Sequence, residues 1–182
     1  MDPHTRLGRR PTAHDFGRIP AVTMTDTARI AITRYAGESI DGRETGGILL
    51  GHGLQRPRPT LDVVHGVDPG PAAVRRATIF RRDVQHAQAA ADLAYYTDES
   101  LWIGEWHTHP DGPARPSATD LNSYRRLLAD AELDFAVFLA VIVTPDPAAG
   151  FRRPVLAGWL VTAAGVYAAP LHARLPEKDT VS

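Results

Sequence analysis

The chain has 182 residues, 43% of them hydrophobic and 23% charged, with a formal net charge of −1; that is the size of one domain and long enough to bury a core without cross-links. Such a balance supplies no global field that would recruit nucleic acid or an anionic membrane. There is no cysteine, so disulfides, thiol nucleophiles and Cys-based clusters are excluded, and any metal has to be held by His, Asp or Glu.

No run of about 18 apolar residues is available to span a bilayer. The opening stretch MDPHTRLGRRPTAHDFGRIP lacks the apolar centre of a secretory signal. Both features predict a cytoplasmic protein.

Residues 1–19 are polar, basic and Pro/Gly-containing and read as a flexible N-terminal arm. Between Thr25 and Tyr35, Ala28, Ile30, Ala31, Ile32 and Tyr35 recur at helical spacing behind a capping Thr25 or Asp26. GESIDGRE (37–44) is a turn-rich link. TGGILLGH (45–52) reads as a buried strand, and RPTLDVVHGV (58–67) as its neighbour across the turn LQRPRP (54–59). VDPGPAAV (67–74) is a loop and ATIFRR (77–82) a short strand. Asp83 can cap a helix through the alanine-rich QHAQAAADLAYY (85–96).

SLWIGEWHTH (100–109) is the next strand, and PDGPARP (110–116) is too rich in proline for helix or central sheet. Ser117 opens a helix over ATDLNSYRRLLADA (118–131). FAVFLAVIVT (135–144) is a strongly buried strand, RPVLAGWLVTAAGVYAAP (153–170) gives one or two more, and 171–182 is a polar tail. The alternation of strands and helices predicts an α/β (α+β) sandwich around one mixed sheet, with a single domain over residues 20–170.

The chemistry concentrates in GEWHTHPDGPARPSATD (104–120). His107 and His109 are two apart, and on a strand positions i and i+2 share a face. Their imidazoles can then meet one ion at about 2.0–2.1 Å, whereas on a helix the same spacing sends them roughly to opposite sides. Thr108 faces the other way. The Pro-rich loop turns the chain, and a helix beginning near Ser117 can return Asp120 to the histidines. Two His, one carboxylate and an open fourth position suit a catalytic zinc better than a closed structural one. Ser117-x-x-Asp120 also reads as a simple capping box, and the two roles are compatible. Alternation further puts Glu105 on the face of His107, as a possible partner for an imidazole, and puts Trp102 and Trp106 on the opposite, core face. His4, His14, His52, His65, His86 and His172 have no paired spacing and are read as structural or surface residues.

His107-x-His109-Pro110, six residues, Ser117, two residues and Asp120, with Glu44 upstream in ETGGILLG, resembles the full motif of the JAMM/MPN (JAB-type) zinc metalloproteases, and GEWHTHP is similar to their bacterial stand-alone members. The resemblance covers roughly residues 22–165. It implies an MPN-like fold, a curved mixed sheet flanked by helices with cytidine-deaminase-like layering. It implies one zinc per chain on His107, His109 and Asp120, Glu44 as general base and Ser117 as a hydrogen-bond donor to the oxyanion. Glu105 is the rival for the base, with Asp111 and Asp98 behind it. The implied activity is that of an isopeptidase cutting at the C-terminus of a ubiquitin-like protein, with E1- and E2-like enzymes of the same pathway as further partners and neither nucleic acid nor membrane. The alternatives are a peptidase for small peptides or sulfur-carrier-protein adducts, and a non-catalytic MPN scaffold.

Overall fold

The computed structural model describes residues 21–53 and 60–174. The expected arm (1–19), the turn 54–59 and most of the expected tail lie outside the described residues. Ten strands and three α-helices run in the order β1 (Ala21–Met24), α1 (Asp26–Ala36), β2 (Gly46–His52), β3 (Thr60–Gly66), β4 (Val74–Arg75), β5 (Phe80–Arg81), α2 (Val84–Asp98), β6 (Leu101–Thr108), α3 (Ala118–Ala129), β7 (Phe138–Asp146), β8 (Gly150–Thr162), β9 (Gly165–Ala169) and β10 (Leu171–Ala173). Eight strands form one mixed sheet in the order β10-β1-β3-β2-β6-β7-β8-β9, while β4 and β5 make a separate hairpin. β6 and β7 are parallel neighbours joined through α3, and β7, β8 and β9 follow as antiparallel pairs.

The helices start where capping chemistry dictates. Thr25 and Asp83 accept the N–H of Ala28 and His86 respectively, supplying the first-turn donors with the acceptor they lack inside the helix. α1 buries Ala28, Ile32 and Ala36 against Leu49, Trp106, Leu139, Val141 and Val143 on one face of the sheet. On the other face α3 packs Tyr124 against Phe138 and Ala140, and α2 packs Ala87 and Ala94 against Ile48 and Leu50. β7 is buried on both faces, and for that reason its sequence is continuously apolar rather than alternating. No helix among the described residues is long and apolar enough to cross a membrane.

Several details depart from the sequence reading. Ala21–Met24 is a strand, pairing with β3 and β10 on either side; four residues are too few for periodicity to register. Val74–Arg75, at the end of the expected loop 67–74 and just past it, pairs with Phe80–Arg81. β7 begins three residues after Phe135, because Asp134 at φ 52° turns the chain first. Trp102 is on the opposite face from the one expected. β2 pairs Leu49 with Gly104 and Leu50 with Trp102, so Ile103 is an extra residue on β6, and a bulge of this kind reverses the alternation beyond it. Trp106 and Ile103 lie in the α1-side core, whereas Trp102 stacks edge-on against Phe135 (5.2 Å) and Phe138 (6.1 Å) on the α3 side.

Gly104 on β6 lies tight against its register partner Leu139 on β7. A Cβ there would lie 1.9 Å from the carbonyl oxygen of Leu139, a backbone atom with no freedom to move aside. Gly104→Ala should therefore destabilise the fold by about 2 kcal/mol or more, read as a lowered denaturant midpoint with an unchanged slope.

Candidate metal centre

β6 ends at Thr108, but His109 stays extended, because its N–H donates to the carbonyl of Val143 on β7 (2.8 Å). His107 and His109 thus keep strand alternation and project to one side. Their side chains are only 4% and 7% exposed, and their Nε2 atoms are 3.0 Å apart. Asp120 arrives from the first turn of α3. Ser117 caps that helix: its Oγ accepts the Asp120 N–H (3.2 Å), and Asp120 Oδ2 accepts the Ser117 N–H (2.6 Å). The same Oδ2 lies 3.5 Å from His107 Nε2 and 3.4 Å from His109 Nε2. The capping box therefore aims Asp120 at the histidines.

Ring tautomers follow from the partners on the far side. The Nδ1 of His109 faces the carbonyl of Pro113 at 3.0 Å; a carbonyl only accepts, so Nδ1 carries the proton and Nε2 is left with its lone pair. The Nδ1 of His107 faces Tyr124 Oη at 3.4 Å and Glu105 Oε1 at 3.9 Å. Tyr124 hydrogen-bonds to Glu105, and Glu105 Oε2 accepts from Arg82 Nη1 (2.9 Å). The Nε2 atoms of both rings and one carboxylate oxygen of Asp120 thus converge on one point, with each Nδ1 turned to a partner behind.

Three such atoms are ligands for a cation, and the separations fit one. A four-coordinate zinc with bonds of about 2.0–2.1 Å spaces neighbouring ligand atoms by about 3.3 Å, against 3.0, 3.4 and 3.5 Å here. Among the described residues His107, His109 and Asp120 are the one group of His, Asp or Glu that meets this test. Electrostatics agree. Burial alone would raise the pKa of Asp120, but hydrogen bonds from His107 and His109, their charge and Ser117 hold it far below the usual carboxylate range. Burial would likewise depress His109, yet Asp120, the Pro113 carbonyl and Glu44 raise it above its ordinary value.

Glu44 stands two residues before Gly46, the first residue of β2 and the register partner of His107. Burial raises its pKa above the ordinary value, partly offset by His107 and His109, whose charge acts on it. The structure thus brings Glu44 to the same end of the sheet as the two histidines and Asp120. Glu105 is held by Arg82 and Tyr124 behind the His107 ring, Asp98 pairs with His65 at 2.7 Å, and Asp111 is exposed in the loop. Ser117 is exposed at the rim. Tyr124 and Arg82 were not legible as site residues in the sequence; the signal for Tyr124 is its place four residues after Asp120, on the same face of α3.

Fold and site together define a protein with a candidate three-ligand metal centre at one end of a mixed sheet. Residues 29–155 match the family described as prokaryotic homologs of the JAB domain, and the chain belongs to it. It is 37% identical over 92 residues to the CD-NTase/cGAS isopeptidase of Vibrio cholerae serotype O1, which is 49% of this chain and 56% of that protein. It is 29% identical over 92 residues to a Sinorhizobium fredii protein named "Probable metalloprotease y4qB", 49% of this chain and 55% of that one. The chain thus spans little more than half the length of these relatives. A solution structure of a Desulfitobacterium hafniense protein superposes with a TM-score of 0.58 at 20% identity, over 87% of this chain and 97% of the other, a likeness of fold.

The Tyr124 hydroxyl touches the back of one proposed ligand without contributing to the apolar contacts of its ring. Tyr124→Phe should keep the fold and weaken zinc affinity roughly ten- to hundredfold, measured by competition against a chromophoric chelator, with the melting temperature as control.

Proposed function

We propose that this chain is a zinc-dependent isopeptidase that cuts after the C-terminus of a ubiquitin-like protein, releasing it from a conjugate or a precursor. The observation that carries the reading is the convergence of two Nε2 atoms and one carboxylate oxygen within 3.5 Å, beside a half-buried glutamate whose pKa is raised. His107, His109 and Asp120 would hold one zinc. When bound, zinc supplies Lewis-acid polarisation of the scissile carbonyl and activation of the attacking water at neutral pH. Glu44 takes the proton of that water and delivers it to the leaving nitrogen; its raised pKa suits a group that must first accept a proton and then give it up. Glu105 is committed to Arg82 and Tyr124, which supports Glu44 as the base.

Ser117 donates its hydroxyl proton to the carbonyl oxygen as negative charge builds there, while its lone pair continues to cap α3. The loop 110–116 can wall the path of an extended tail. It is held by the Pro113 carbonyl at His109 and by the Ala114 carbonyl, which accepts from Trp159 Nε1 (3.0 Å), so it needs little ordering when substrate arrives. The substrate class rests on the isopeptidase names of the relatives, and enzymes that attach such a modifier are the partners this implies. A complete ligand set supports an enzyme over a scaffold that only binds.

The test uses purified protein with fusions of a ubiquitin-like protein ending in Gly-Gly, Ala-Gly or Leu-Leu before the scissile bond, and with short peptides of the same ends. Product masses should show cleavage after Gly-Gly in the fusions above all. Zinc should be present at about one per chain, chelation should abolish turnover and zinc should restore it. Glu44→Gln should keep zinc and lose turnover. A metal-free, chelator-insensitive activity would refute the zinc chemistry, near-normal rates in Glu44→Gln with a dead Glu105→Gln would refute the base, and equal cleavage of free peptides would favour the small-substrate alternative.

Ser117→Ala separates the two roles of that residue. Loss of the oxyanion donor should lower kcat by the equivalent of about 2.7–4 kcal/mol, and loss of the cap should lower stability by roughly 1 kcal/mol. Kinetics and melting on one preparation read both; a stability loss with an unchanged rate per folded molecule leaves only the cap.

A further inference from the structure

We propose that Thr108, the residue between the two histidines, is a positioning residue for Glu44, and that its side-chain hydroxyl fixes the segment carrying that glutamate; the proposal rests on Glu44 as the base. The segment needs an external hold. β2 begins only at Gly46, and a short 3-10 turn over Gly37–Asp41 ends at Gly42 in the left-handed region, so residues 43–45 lie in neither helix nor sheet.

Thr108 is fully buried and points away from the histidine face. Its Oγ1 accepts the N–H of Thr45 at 2.9 Å and lies 2.6 Å from Ser39 Oγ, itself buried in the 3-10 turn. Its own N–H donates to the Thr45 carbonyl at 2.8 Å. The Thr45 N–H belongs to the peptide group that follows Glu44, so this bond orients the backbone from which the carboxylate side chain departs. The other edge of the same peptide group, the Glu44 carbonyl, accepts from Arg75 Nε at 3.3 Å, and the Glu44 N–H donates to the Arg76 carbonyl at 2.8 Å. Thr45 offers a contrast: its hydroxyl is buried with no partner, so of the two adjacent threonine hydroxyls only that of Thr108 does any holding. Strand alternation at β6 therefore sends two imidazoles to one face and, through the residue between them, ties the base segment to the same three residues.

A base displaced by a fraction of an ångström loses reach of its proton, while ligands on a rigid strand stay where they are. Thr108→Val keeps shape and removes the hydroxyl. It should lower kcat roughly ten- to hundredfold, with KM within about twofold and zinc content unchanged, and Thr108→Ser should restore most of the rate. Ser39→Ala, which removes one bond and leaves the Thr45 bond, should show a smaller loss. Hydrogen exchange of the Thr45 amide in the metal-free protein gives a readout independent of turnover; it should be slow in the parent and in Thr108→Ser and at least about tenfold faster in Thr108→Val.

An unchanged kcat with an unchanged Thr45 amide overturns the proposal, as does a loss of zinc in parallel with activity, which would make Thr108 a support of the ligand strand instead. Should Thr108→Val not fold, Ser39→Ala carries the test through the same amide: faster exchange with retained zinc and lower kcat supports the proposal, and parent-like exchange and kcat overturn it. If Glu44→Gln retains its rate, the base assignment fails, and the amide exchange still decides whether Thr108 holds the segment.

Discussion

Three ligand-type groups are pressed together at one end of β6, and much of the surrounding structure holds them there. The Pro113 carbonyl lies at the Nδ1 of His109 and the Tyr124 hydroxyl at the Nδ1 of His107, which turns the Nε2 atoms of both rings inward. The N-terminus of α3 keeps Asp120 ionised, through the Ser117 N–H and a favourable helix dipole. Such crowding of polar groups in a buried place is held by a fold that over-determines it.

The over-determination comes from the sheet. β7 is buried on both faces and pairs in parallel with β6, so the end of β6 is set against a strand covered on either side. α3 returns directly from that end and packs Tyr124 under the sheet, which joins the core to the back of His107. Behind it Arg82 lies over the Trp102 ring, 4.9 Å from its centroid, and bonds Glu105. The bulge at Ile103 makes this possible, since it puts Trp102 on the same side of the sheet as Glu105.

How far the sequence could be read follows from the range of each signal. The His-x-His pair, the capping Ser117 and Asp120, and the apolar runs of β2 and β7 are local patterns, and the geometry they imply is the geometry observed. Glu44 could be singled out only through the resemblance of ETGGILLG to a family motif, because nothing local distinguishes it from a solvated charge. The bulge that reverses Trp102 depends on how β2 pairs with β6, which no single strand encodes. β1 and β4 are four and two residues long, too short to carry a period, and β10 pairs with β1 within what reads as a tail. Tyr124 carries no signal of its own in the sequence, because its hydroxyl meets His107 only through the packing of α3 on the sheet.

The proposed ligands and the proposed base differ in how far apart they lie along the chain. His107, His109 and Asp120 fall within a single strand–loop–helix passage, whereas the segment bearing Glu44 meets Thr108 across 63 residues. Contacts between residues close in sequence cost less loop-closure entropy than contacts across long separations. The three proposed ligands thus depend on one local passage, while the proposed base depends in addition on the pairing of β2 with β6. A change that loosens that pairing and leaves β6, α3 and β7 in place would separate the two parts of the site.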